Sequence, residues 1–141
     1  MKWKVGLTKI SFFFDIKKEM TEAENMSKMV HSLVIMHNGF SVYRWQTDRY
    51  HKRQAVEQLI YELDVFMDTL VISYQGRTNH RIFFSGETVH LRNMDDKEIE
   101  FMILDMIALL TSFYACTDDV DYYRISFISK LYQTLYEFTV Q

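Results

Sequence analysis

The sequence predicts a mixed α+β fold in a single domain over residues 1–141, with about four helices and a small, mostly antiparallel sheet. The chain is 48% hydrophobic, has no proline and has only 4 glycines, a composition typical of an ordered globular chain with few breaks. Apolar residues recur at helical spacing in four stretches and alternate in several short runs. Runs of both periods predict both helices and strands.

The first third of the chain predicts a strand, a helix and a second strand. Apolar residues alternate through residues 3–14, with a phase slip that indicates a break or bulge. Thr21 with Glu24 three residues later has the form of a capping box, which predicts the start of a helix. Gly39 is predicted to end that helix in the C′ position, and residues 40–46 to form a short, aromatic-rich strand.

The second helix is predicted to follow Thr47 or Asp48, because either side chain can serve as its N-cap. Its apolar stripe has regular helical spacing. The stripe consists of Val56, Leu59, Ile60, Leu63, Phe66, Met67 and Leu70.

A three-strand meander is predicted in the middle of the chain, over residues 71–75, 80–85 and 88–92. Residues 76–79 and 86–87 between these runs are rich in glycine and polar turn formers. Because the connections are short, antiparallel pairing is expected.

The third helix, predicted from Glu98 to Cys116, is apolar on most sides and is expected to lie in the core. Asn93 or Asp95 is predicted to cap its N-terminus, and Asp95 has Glu98 three residues later. Residues 101–116 would span only about 24 Å, and Asp105 lies among them, so a membrane span is not expected.

A break at residues 117–119 predicts that a final helix starts there and forms a C-terminal helical hairpin packed on the sheet. Its core face combines aromatic and aliphatic residues. That face consists of Val120, Phe127, Ile128, Leu131, Leu135 and Phe138.

Cysteine usage and the N-terminal residues predict a cytoplasmic protein. Cys116 is the one cysteine, so no internal disulfide can form. The first residues lack the long apolar run and small-residue cleavage site of a signal peptide.

Signatures of catalysis and of cofactor binding are missing from the sequence, which predicts a protein that is not an enzyme and has no cofactor. It contains no GxSxG, GxGxxG, P-loop or HExxH pattern, and His80 and His90 alone do not make a metal site. The alternative is an enzyme with an unfamiliar site near Asp48 and His51 or near Asp105.

A cluster of basic and aromatic residues at the predicted start of the second helix is a candidate anion-binding site. Its cations are Arg44, Arg49, Lys52 and Arg53. Basic residues interleaved with aromatic ones suit the binding of single-stranded nucleic acid, so a nucleic-acid-binding regulator is an alternative function. The net charge of −3 is opposite to the basic footprint expected for that class.

An acidic segment followed by tyrosines is the candidate protein-binding site. It consists of Asp118, Asp119, Asp121, Tyr122, Tyr123, Tyr132 and Tyr136. Tyrosine and methionine, nine of each in this chain, are typical of adaptable contact surfaces.

We therefore expect a small, non-enzymatic protein-binding module, such as an inhibitor, immunity factor, adaptor or secretion-type chaperone. The composition, poor in Gly, Ala and Pro, favours a phage or mobile-element origin. The expected partner is another protein, with a homodimer through the last helix as the competing use of the same surface; nucleic acid is less favoured and no membrane is expected.

Overall fold

Every regular element in the described part of the chain is an α-helix. The computed structural model describes residues 22–113 and 117–140. The elements are α1 (Glu22–Gln46), α2 (Tyr50–Thr78), α3 (Asp96–Ser112) and α4 (Asp118–Thr139). The predicted α+β class is therefore wrong for these residues, which form an all-helical bundle. The predicted strand at residues 3–14, together with Thr21 and Cys116, lies outside the described residues.

The four helices form a bundle in which each packs mainly against two neighbours. α1 and α4 each pack against α2 and α3. The diagonal pairs meet through side chains at one end, where Tyr43 of α1 lies against Phe138 of α4, with ring centroids 5.6 Å apart, and Lys52 of α2 binds Asp96 of α3. Residues 47–49 join α1 to α2, and Tyr43 near that turn donates a hydrogen bond to Asp96 at the start of α3. We call this the Asp96 end of the bundle; the opposite one, where Arg77 pairs with Glu22, is the Glu22 end.

A long connection between α2 and α3, residues 79–95, crosses the bundle from the Glu22 end to the Asp96 end. The Phe83 N–H donates to Ser27 Oγ at 3.4 Å near the start of α1. The Met94 N–H donates to Gln46 Oε1 at 2.9 Å at the end of α1. Eleven extended residues reach about 35 Å, and the stretch of α1 between Ser27 and Gln46 is about 28 Å long. The connection must therefore be nearly extended to reach α3.

The predicted strands at 40–46 and 71–75 are wrong, because both ranges lie inside helices α1 and α2. Phe40 and Tyr43, three residues apart, are both buried on one helical face, so packing outweighs the β-propensity of this run. Residues 80–85 and 88–92 lie in the extended connection but form no ladder, since the described residues offer them no neighbouring strand.

Gly39 does not end α1, which continues for seven more residues. A Cβ atom at this position would overlap the end of the Met102 side chain on α3. Glycine is therefore used here for the close approach of α3 to α1, and its predicted role as a C-cap is wrong.

The predicted cap of α3 is confirmed and that of α2 is wrong. Asp95 is the N-cap of α3, and its side chain accepts a hydrogen bond from the Glu98 N–H at 2.9 Å. α2 instead has Arg49 at its N-cap, with no side-chain cap, and Thr47 Oγ1 accepts from the Arg49 N–H at 3.2 Å.

The C-terminal helical hairpin is present, but it packs on α1 and α2 and not on a sheet. Arg124 of α4 joins the two helices of the hairpin, since its Nη1 donates to the Leu110 carbonyl at 2.8 Å near the end of α3. All four helices share one apolar core. Its largest fully buried side chains include Phe40, Tyr43, Phe66, Phe127, Ile99, Ile103 and Met106. None of the described helices is both long and apolar enough to cross a bilayer.

Candidate protein-binding surface

The side of α4 that points away from the core carries a row of exposed aromatic and aliphatic side chains. Tyr122, Ile125, Tyr132 and Tyr136 are 68%, 58%, 55% and 67% exposed. Their spacing of three, seven and four residues places them along one helical face, with the exposed Ser129 in the gap. We call these five residues the α4 outer face.

The core contacts of α4 fix which of its residues face outward. Val120, Phe127, Leu131 and Phe138 are buried with at most 4% exposure. They lie on the opposite side of the helix from the α4 outer face at 3.6 residues per turn. The tyrosines are therefore held outward by the packing of the bundle.

After the first turn of α4, its charged side chains lie off the α4 outer face. Arg124 is held by Asp121 at 3.0 Å, and Lys130 donates to Gln58 of α2 at 2.8 Å. Glu137 lines a groove with His51 at the Asp96 end. A strip from Tyr122 to Tyr136 is thus left without a formal charge.

Three acidic residues begin α4, as the sequence predicts for the protein-binding site. Asp118 and Asp119 are exposed in the first turn, and Asp121 faces Arg124. Hydrogen bonding to Thr117 and to the Val120 N–H lowers the pKa of the Asp119 carboxyl. These carboxylates form a negative end beside the uncharged strip, at the Glu22 end of the bundle.

The structure groups most of the predicted tyrosines but separates one of them. Tyr123 is only 37% exposed and packs edge-on against Tyr122, with ring centroids 5.3 Å apart. It follows Tyr122 by one residue and is therefore turned about 100° away from the outer face. Ile125, which the sequence analysis missed, takes its place. The sequence does contain a signal for Ile125, because it is an apolar residue that follows Tyr122 by three positions and lies outside the core stripe.

Exposed tyrosines continue onto α2, the helix beside α4. Tyr50 and Tyr61 are 63% and 68% exposed, and Ile72 is 68% exposed. Tyr61 lies about one turn from Gln58, which binds Lys130 of α4. All six exposed tyrosines of the described residues are on α2 or α4.

Lys52 of the predicted anion-binding cluster is buried and has an internal partner. Its ammonium donates to Asp96 Oδ2 at 2.6 Å and lies 4.9 Å from the centre of the Phe138 ring. Tyr43 donates to Asp96 Oδ1 at 2.6 Å. The three residues Tyr43, Lys52 and Asp96, which we call the Asp96 cluster, join α1, α2 and α3.

Two pKa values in the Asp96 cluster are displaced. Burial works to raise the pKa of the Asp96 carboxyl, but the hydrogen bonds from Lys52 and Tyr43, with the charges of Lys52 and Arg49, hold it below its usual range. Burial, and secondly the hydrogen bond to Asp96, raises the pKa of the Tyr43 hydroxyl far above its usual range. The cluster is therefore ionised at Asp96 and neutral at Tyr43 near pH 7.

The other three predicted cations have different neighbours. Arg49 Nε lies 3.9 Å from Asp96, and Arg53 donates to the Thr47 carbonyl at 2.6 Å. Arg44 lies over the ring of Trp45, 6.0 Å from its centre. Because Lys52 is turned inward, the predicted cluster has three cations left for an external anion. Anion binding there stays a prediction.

The residues of the enzyme alternative are not brought together as a group. Asp48 and His51 are exposed around the start of α2, and Asp105 is half-buried on α3, the helix diagonally opposite. His80 and His90 are exposed in the connection between α2 and α3. No group of three or more potential metal ligands occurs among the described residues.

Comparison of the chain with protein-family models, with curated proteins and with solved structures finds no match.

Proposed function

We propose that this chain is a non-enzymatic module that binds another protein through the α4 outer face. The observation that carries the proposal is the exposure of Tyr122, Ile125, Tyr132 and Tyr136 in one uncharged row on a helix whose other side is well packed. An inhibitor, immunity factor, adaptor or chaperone would use such a surface.

The chemistry of the row suits a protein partner. Tyrosine buries a large ring at little cost in side-chain entropy, and its hydroxyl keeps a hydrogen bond when the ring is covered. The centres of protein interfaces are enriched in aromatic residues and depleted of charge. The α4 outer face has both properties, and Asp118 and Asp119 supply the charged rim that steers a partner.

The competing classes have less support. An enzyme would require polar groups that converge in a cleft, whereas Asp48 and His51 are exposed around the start of α2 and Asp105 lies on α3. A nucleic-acid-binding protein would require the cations near the start of α2, of which Lys52 already neutralises Asp96. A cytoplasmic location, which we also propose, agrees with a chain that has a single cysteine.

A tagged pull-down tests the proposal. The tagged full chain is exposed to lysate of the source cell with and without nuclease, and the retained proteins are identified by mass spectrometry. We expect a protein that survives nuclease and is lost with the Tyr122→Ser/Tyr136→Ser variant. Phe83→Ser is the matched control, because Phe83 is 74% exposed but lies beside α1.

Two results would contradict the proposal. Retention that disappears with nuclease would transfer the function to Arg44, Arg49 and Arg53. Retention that is unchanged in Tyr122→Ser/Tyr136→Ser but lost in Phe83→Ser would place the binding surface on the other side of the bundle.

A further inference from the structure

We infer that the partner of the α4 outer face is a basic protein surface, whose arginine and lysine side chains lie over the tyrosine rings and pair with carboxylates beside them. The inference rests on the proposed function, since it names the chemistry of the protein that this face binds. Its support is a set of exposed carboxylates, on α2 and at the start of α4, that have no cation within the bundle.

The outward face of α2 adds carboxylates to the side of the bundle that carries the α4 outer face. Glu57, Tyr61 and Asp68 are all exposed and are spaced by four and seven residues, which places them on one helical face. Residues 54–76 of α2 contain no lysine or arginine. Because α2 packs against α4, the outward faces of the two helices adjoin on one side of the bundle.

The antiparallel register of α2 and α4 determines which of these residues lie level with one another. The register is set by two side-chain hydrogen bonds, between Gln58 and Lys130 at 2.8 Å and between Ser73 and Thr117 at 3.4 Å. In this register Glu57 is level with Tyr132, and Asp68 is level with Tyr122 to within one residue. Each half of the tyrosine row therefore has a carboxylate on the neighbouring helix, whose axis is about 10 Å away.

The bundle itself does not neutralise these carboxylates. Glu57, Asp68 and Asp118 have no hydrogen-bonding or ion-pair partner among the described residues. Asp96 shows the contrast, since it is held by Lys52 at 2.6 Å. The negative charge beside the tyrosines is therefore available to a partner.

The two cations of α4 are bound internally. Arg124 has a side chain that is only 14% exposed and pairs with Asp121, and Lys130 donates to Gln58. Residues 54–76 of α2 and the whole of α4 carry eight carboxylates, four on each helix, against these two cations. This side of the bundle is therefore negative around an uncharged row of tyrosines.

Arginine suits both parts of this surface. A guanidinium can lie over a tyrosine ring in a cation–π contact worth about 0.5–2 kcal/mol, and it can bind a carboxylate through two hydrogen bonds. An apolar partner would cover Glu57, Asp68 and Asp118 without compensating their charge or would leave them at its edge. A partner with a negative surface, including a nucleic acid, would be repelled by them.

Titration of the full chain with a synthetic peptide tests the inference. The probe has about 12 residues of alternating arginine and alanine, and a second peptide has glutamine in place of each arginine. We expect the arginine peptide to shift the amide NMR resonances of Tyr61, Tyr122 and Tyr132, and the glutamine peptide to bind at least about tenfold more weakly. Binding of the arginine peptide should also weaken as the salt concentration rises.

Two charge variants locate the binding. Glu57→Gln/Asp68→Asn removes two carboxylates beside the tyrosines and should raise the Kd of the arginine peptide roughly fivefold. The matched control is Asp48→Asn/Glu87→Gln, which changes the net charge equally at exposed positions in the turn before α2 and in the connection. It should change Kd less than about twofold, because these positions lie outside the proposed surface. Circular dichroism of each variant establishes that its helices are intact.

The tyrosines are tested in the same titration. Tyr122→Ser/Tyr136→Ser keeps every charge, and it should raise the Kd of the arginine peptide roughly fivefold through the lost ring contacts. A Kd that this variant leaves unchanged would show that the peptide binds carboxylates alone, which would overturn the inference.

Other results would also overturn it. They are an arginine peptide that does not bind at about 1 mM, a glutamine peptide that binds equally well, and equal losses in the two charge variants. A dimer of the chain alone that Tyr122→Ser/Tyr136→Ser dissociates in sedimentation equilibrium would show that a second copy occupies the row. If the inference fails but the pull-down still yields a protein that is lost with this variant, the proposed function stands with a partner of other chemistry. A chain that binds neither peptide nor protein would overturn both.

Discussion

Asp96 is the residue through which three helices are joined. Asp96 and Lys52 do not depend equally on their ion pair. Lys52 is buried, with a side chain only 7% exposed, whereas the Asp96 side chain is 36% exposed and reaches water. A buried ammonium that loses its partner is costly, while a partly exposed carboxylate can be hydrated instead. Loss of the Asp96 charge should therefore lower the free energy of unfolding more than loss of the Lys52 charge.

We expect Asp96→Asn to lower the free energy of unfolding by about 2 kcal/mol, because it leaves the buried ammonium of Lys52 without a counter-charge. Lys52→Met should cost only about 1 kcal/mol, since the methionine keeps the apolar stem and Asp96 becomes hydrated. Urea denaturation at pH 7 measures both values. The reverse order would show that Asp96, and not Lys52, is the group that depends on the pair.

The lowered pKa of Asp96 predicts how this contribution depends on pH. Because the folded carboxyl stays ionised below the pKa that it has when unfolded, its contribution is complete above that unfolded value and is lost as the pH falls through the lower, folded value. The stability difference between the wild type and Asp96→Asn should therefore shrink between about pH 5 and pH 2. A constant difference across this range would contradict the assigned shift.

Tyr43 has the opposite dependence. Its pKa is raised in the folded protein, so its hydroxyl stays protonated at a pH where the unfolded chain has ionised, and folding becomes less favourable as the pH rises. Tyr43→Phe should cost about 2 kcal/mol at pH 7 through the lost hydrogen bond to Asp96. We expect this difference to narrow above about pH 10, as measured by thermal unfolding. A difference that widens with pH would contradict a raised pKa.

At the scale of the helices, the sequence predicts where α3 and α4 begin but not how far α1 and α2 extend. Asp95 with Glu98 and the polar break before α4 are local signals, and both are confirmed. Gly39 and Gly76 were predicted to end a helix and to form a turn, yet both lie inside helices. The reason for Gly39 is Met102, which lies on a helix 63 residues further along the chain, so no local pattern reveals it.

The contact of Gly39 with Met102 can be tested by a double-mutant cycle. Gly39→Ala raises helix propensity by up to about 1 kcal/mol, but in the wild type the new methyl group displaces the end of Met102. In a Met102→Ala background the space is free. We expect Gly39→Ala to be more favourable there by about 1 kcal/mol, by urea denaturation. Equal effects in both backgrounds would mean that Met102 does not limit position 39.

The candidate surface was partly predictable for a similar reason. The core stripe of α4 is visible in the sequence, and it determines that Tyr132 and Tyr136 face outward. That Lys52 turns inward was not predictable, since its partner Asp96 is 44 residues away. The continuation of the tyrosines onto α2 likewise depends on which helices are neighbours, which is a property of the tertiary structure.

At the scale of the whole molecule, the missing sheet follows from the position of the connection between α2 and α3. Residues 80–92 have the composition of strands, but no other described strand lies beside them, and Ser27 of α1 is one of their few hydrogen-bonding partners. A strand requires a neighbour to satisfy its backbone, and the described part of the chain supplies only helices here. The composition of residues 80–92 predicts an extended backbone, but it does not predict which elements lie beside that backbone.

Limited trypsin digestion tests this arrangement. Among the described residues, we expect the first cleavages after Arg81 and Arg92 in the exposed connection, before any within the helices. The fragment with α1 and α2 and the fragment with α3 and α4 should stay together in gel filtration, because α2 packs on α4 and α1 packs on α3. Fragments that separate without denaturant would show that the two helical hairpins are held together mainly by the connection.

The crossing of this connection also has a consequence for the rate of folding. Tyr43 and Asp96 are 53 residues apart in sequence, and Gln58 and Lys130 are 72 apart, so the contacts between the two hairpins close long loops. Helical bundles with short turns between successive neighbours fold fast because most of their contacts are local. In this protein the entropy of loop closure is lost before the hairpins meet, and the chain should fold more slowly than other helical proteins of its length.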